Sequence, residues 1–88
     1  MILEFTVTCG FKYRLDRELM TWGRYVADNS CLQHGKLHSW PNPISIGKSV
    51  QIFNLVDGIG YAIKTGEVVS IKSVERDEPE SRSGAAAV

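Results

Sequence analysis

The chain has 88 residues, 43% of them hydrophobic, which makes one small domain with a modest core. Ten Lys and Arg balance ten Asp and Glu for a formal net charge of zero, against the basic excess expected of a dedicated nucleic-acid binder. No run approaches the roughly 18 apolar residues of a membrane span, and no basic-then-apolar leader opens the chain. The expectation is therefore a cytoplasmic protein, with no membrane association, whose Cys9 and Cys31 are free thiols.

From Leu3 to Leu15 every odd position is apolar, and every even position between them is polar or glycine. This period of two is the signature of a strand with one buried face. Thirteen extended residues would span roughly 43 Å, too long for so small a domain. A bulge or bend near Cys9–Gly10 is expected, in preference to a tight hairpin there. Asp16 stands where a helix N-cap should, and Leu19, Trp22 and Val26 follow at helical spacing. The spacing predicts an amphipathic helix over 16–28.

Residues 31–47, rich in His, Gly, Ser, Asn and Pro, read as a connector. Three strands follow as a meander: 49–56, a two-residue turn at Asp57–Gly58, 59–64, a second turn at Thr65–Gly66, and 67–74. Residues 77–88 carry charge, Ser, Ala and Pro with little to bury, and read as a disordered tail. The domain is thus 1–76, and the predicted class is α+β. Its antiparallel sheet joins a long bent N-terminal strand to a three-stranded meander, with one helix packed on it. The alternative is a small SH3-like β-barrel with a helix.

Motifs for chemistry are few. Cys31, His34 and His38 give C-x2-H-x3-H, and Cys9 is the one distant residue that would complete a zinc tetrahedron. A second close ligand pair is missing, so no metal and no cofactor is expected, and the stretch reads as an ordinary loop. NPISIGKS (42–49) resembles a phosphate loop only in its GKS, because a strand rather than a helix follows. No nucleophile or acid–base pair has a recognisable frame, so no catalytic residue is assigned.

These observations favour a small non-enzymatic binding or regulatory protein acting through protein–protein contact. Trp40, beside Pro41, is its candidate rigid apolar contact. Sheet edges in so small a protein also offer pairing with a second copy as a homodimer. The alternative is a nucleic-acid-binding module using Lys12, Arg14, Arg17 and Arg24; a small enzyme of unknown chemistry is third.

Overall fold

The computed structural model describes residues 1–26, 28 and 30–74, so the tail expected over 77–88 lies outside the described residues. Six strands form: β1 Ile2–Val7, β2 Lys12–Asp16, β3 Thr21–Tyr25, β4 Cys31–Leu37, β5 Ser49–Val56 and β6 Ile59–Val74. Each is antiparallel to the next, and β6 returns to pair with β1, closing a barrel in simple chain order. The architecture is all-β. The α+β assignment is therefore corrected, as is the packed helix carried by both expectations, since no helix forms among the described residues.

The first correction is in the N-terminal segment. It is a hairpin, with Phe5 opposite Tyr13 and Leu3 opposite Leu15, and not one bent strand. The two strands meet through the turn at Thr8–Phe11, where Val7 N–H donates to the Phe11 carbonyl and Gly10 adopts φ +94°. Only glycine takes that conformation cheaply. Directly opposed residues share one face of a sheet. Because the paired numbers here sum to an even value, odd residues face inward on both strands. The apolar alternation thus continues through the turn and imitates one long strand.

The second correction replaces the predicted helix by the β2–β3 hairpin. Asp16 does act as a cap: its Oδ1 accepts from the N–H groups of Glu18 and Leu19 at 3.0 and 3.1 Å. An Asx turn uses the same hydrogen bonds as a helix N-cap. Here Met20, at φ +52°, reverses the chain instead of continuing it. Thr21, Trp22 and Tyr25 then follow as strand, which suits their β-branched and aromatic side chains. Leu19, expected on the buried helix face, is exposed in the turn.

Two further elements differ. The presumed connector begins with strand β4, which pairs with β3 and meets β5 only through Lys36–Leu55 and Leu37–Asn54. Thr65–Gly66 is not a turn. It lies inside the sixteen-residue β6, where the register against β5 slips between Ser49–Glu67 and Gln51–Lys64. There Val50 N–H donates to Thr65 Oγ1 at 3.0 Å and that hydroxyl donates to the Gly66 carbonyl at 2.7 Å. The bulge bends β6, so its first half pairs with β5 and its second with β1. The Asp57–Gly58 turn forms as read, with both residues at positive φ.

The inward positions make the core: Phe5, Val7, Tyr13, Leu15, Trp22, Leu37, Val50, Ile52 and Val68. Phe5 and Tyr13, opposed across β1–β2, stack with centroids 5.2 Å apart. Trp22 Nε1 donates to Asn54 Oδ1 at 2.9 Å, which satisfies the indole and ties β3 to β5. In the loop before β5, Trp40 and Ile44 pack against this core.

Candidate functional site

Alternation that sends Phe5, Tyr13, Leu15 and Trp22 inward sends the residues between them outward. Register then fixes which outward side chains are neighbours. One row crosses five strands: Lys72 on β6, Glu4 on β1, Arg14 on β2, Gly23 on β3 and His34 on β4. On one side of it lie Lys12 and Tyr25, opposed to each other; on the other lie Thr21 and Lys36.

Glu4 is the hub of this face. It is only 4% exposed, yet Arg14 Nε donates to its Oε2 at 2.9 Å and Lys72 Nζ lies 3.2 Å from Oε1. Burial alone raises its carboxyl pKa. The hydrogen bonds and charges of Arg14 and Lys72 outweigh that and hold it below the ordinary value. The partners remain open to solvent, with side-chain exposures of 44% for Arg14 and 70% for Lys72. Glu4 therefore holds Arg14 by the inner nitrogen of its guanidinium and Lys72 by its terminal ammonium, while both side chains keep solvent-exposed surface.

Gly23 makes room beside Arg14. A Cβ there would stand 2.8 Å from the Tyr25 ring, so that ring lies close over the strand backbone. The Arg14 guanidinium carbon sits 5.4 Å from the Tyr25 ring centroid. Around this pair runs a groove of about 630 Å³, lined among others by Arg14, Tyr25, His34 and Lys36. Among the described residues, the cations of the face are Lys12, Arg14, Lys36 and Lys72. Its described carboxylates, Glu4 and Asp16, are both buried, one bridged by cations and the other accepting from backbone.

The basic residues singled out from sequence do not gather into one patch. Lys12 and Arg14 lie on this outer face, but Arg24 has the opposite parity on β3 and its guanidinium packs 5.0 Å from the Phe11 ring. Its Nε is buried without a hydrogen-bond partner. Arg17, in the β2–β3 turn, covers Trp40 at 5.0 Å. Trp40 is thus half-buried, core on one side and guanidinium on another. Sequence reading passes over Lys36 and Lys72 and does not join them to Tyr25 and His34, because strand parity groups the four only once the strand order is known.

The C-x2-H-x3-H residues are separated by the fold. His34 stands opposite Gly23, whereas His38 lies beyond β4 against Gly60 of β6. Cys9 occupies the β1–β2 turn, and both cysteines are free and exposed. Among the described residues no three His, Cys, Asp or Glu side chains form a metal-sized group.

A second surface feature lies on the β5–β6 hairpin. Val56 and Ile59 are opposed beside its turn, and Tyr61 is opposed to Asn54 one step back. They share the parity of the core residues Val50 and Ile52, but are 41%, 55% and 53% exposed. The apolar face of the hairpin thus continues past the point where the barrel covers it. No helix among the described residues is long and apolar enough to cross a membrane. Comparisons with protein-family models, curated proteins and solved structures return no match.

Proposed function

We propose that the protein is a non-enzymatic cytoplasmic binding module that works through protein–protein contact at the β5–β6 hairpin. One observation carries the reading: Val56, Ile59 and Tyr61 form an exposed apolar face on a hairpin anchored by Ile52 and Asn54. Isolated exposed apolar residues are ordinary, but a contiguous group on a rigid element is what partner surfaces present. Aromatic residues such as Tyr61 are enriched in such contacts. Trp40 contributes indirectly, because it supports the core from the loop before β5.

A photo-crosslinking residue at position 61, introduced in the native host, tests this. A discrete protein adduct is expected that is absent with the probe at exposed Lys48 and lost on Ile59→Asp. An adduct of twice the chain mass would identify the partner as a second copy. Identical adduct patterns from positions 61 and 48, or none from either, would overturn the reading.

A further inference from the structure

We infer that the outer face of β6, β1, β2, β3 and β4 is a binding site for single-stranded nucleic acid, distinct from the hairpin surface and independent of it. The whole chain is neutral, but its charge is sorted by the fold. Among the described residues this face presents Lys12, Arg14, Lys36 and Lys72, while its carboxylates, Glu4 and Asp16, are buried. Among the described residues, the other acids lie elsewhere: Glu18, Asp28 and Asp57 in turns and Glu67 on β6 near the bulge.

The occupant follows from three properties of the face. Its charge is complementary to a polyanion. Five strands at about 4.8 Å give a track of roughly 19 Å, long enough for several nucleotides and wider than one small anion needs. Tyr25, half-buried on β3, offers an aromatic ring to an unstacked base, and Thr6, Thr21 and Ser70 are outward hydroxyls elsewhere on the face. Cations that follow a backbone together with an aromatic platform are the combination by which β-sheets hold single strands. An acidic protein segment would use the cations but would give Tyr25 no base to stack.

The arrangement also explains why Glu4 is there. A buried carboxylate costs free energy unless paired. Here it holds Arg14 through Nε and Lys72 through its ammonium, side by side on the track, and both side chains keep solvent-exposed surface from which a phosphate can be met.

The test uses fluorescence anisotropy of the full chain with a labelled 15-nucleotide oligothymidine, a duplex of equal length and polyglutamate as competitor. With three to four phosphate contacts, single-strand affinity should fall about 20- to 50-fold between 50 and 200 mM salt. The K12Q/K36Q variant should lower affinity about tenfold and flatten the log–log salt slope by about 1.4. K48Q/K64Q, with the same loss of charge off the face, should change affinity less than about twofold. Tyr25→Leu should weaken binding about tenfold without altering the salt slope. Circular dichroism confirms that each variant is folded. No salt-dependent binding at 50 mM, or equal losses in the two lysine pairs, overturns the site. Tighter binding of the duplex, or equal competition by polyglutamate, overturns the assignment of its occupant.

Discussion

Glu4 shows how much one side chain decides. Its carboxyl is held below the ordinary 4.5 by the hydrogen bonds and charges of Arg14 and Lys72, against the opposing effect of burial. In acid the unfolded chain therefore binds the proton first. Stability contributed by Glu4 is complete above about pH 4.5 and is lost as pH falls through the lower folded value. Glu4→Gln should lower stability at pH 7 by about 1–3 kcal/mol, because it strands two cations at a buried acceptor. The same variant should lose less than the parent between pH 5 and 3. Urea midpoints across that range check both points, and parallel curves for the two proteins would remove Glu4 from the acid transition. The sequence displays Glu4 only as a polar position in an apolar alternation. Its burial and its two partners come from strands ten and sixty-eight residues away in the chain, which no local pattern encodes.

At the scale of elements, β6 is the one that makes the barrel. A straight strand cannot serve both β5 and β1 as β6 does, and Thr65 provides the bend by giving Val50 N–H an acceptor where the ladder slips. Thr65→Val keeps the shape and removes the hydroxyl, leaving that buried N–H without a partner. A loss of about 1–3 kcal/mol is expected by chemical denaturation, with Thr65→Ser recovering most of it. Equal losses in both variants would attribute the effect to packing. The glycine beside Thr65 suggests a turn on composition, and only the tertiary pairing reveals a bulge. In the same way, Asp16 is legible as a cap from sequence, but an Asx turn and a helix N-cap begin with identical hydrogen bonds. What separates them is the left-handed Met20 and the ladder that β2 offers to β3. CLQHGKL became strand β4 for a related reason: an adjacent β3 edge outweighs weak β-propensity.

At the scale of the whole molecule, closure pairs Ile2 with Val74, nearly the full described length apart. Such non-local contacts repay their loop-closure cost only when most of the barrel is assembled. Unfolding should therefore be a single transition. In the Trp40→Phe variant, the fluorescence of Trp22, bonded to Asn54, should report the same midpoint as far-UV circular dichroism. Separate midpoints would show that the β1–β2–β3 part persists after β6 detaches. Sequence by itself determined the inward and outward parity of the residues that form β1 and β2, and the Asp57–Gly58 hairpin, since each depends on neighbours within a few residues. Only the tertiary structure decided that the N-terminal alternation folds back on itself, that Asp16 opens a hairpin and that β6 bends to close the barrel. It alone brought Lys72, Glu4, Arg14 and His34 into one row. Those outcomes depend on which strand lies beside which, and hydrogen-bonded registers between distant segments leave no periodic trace along the chain.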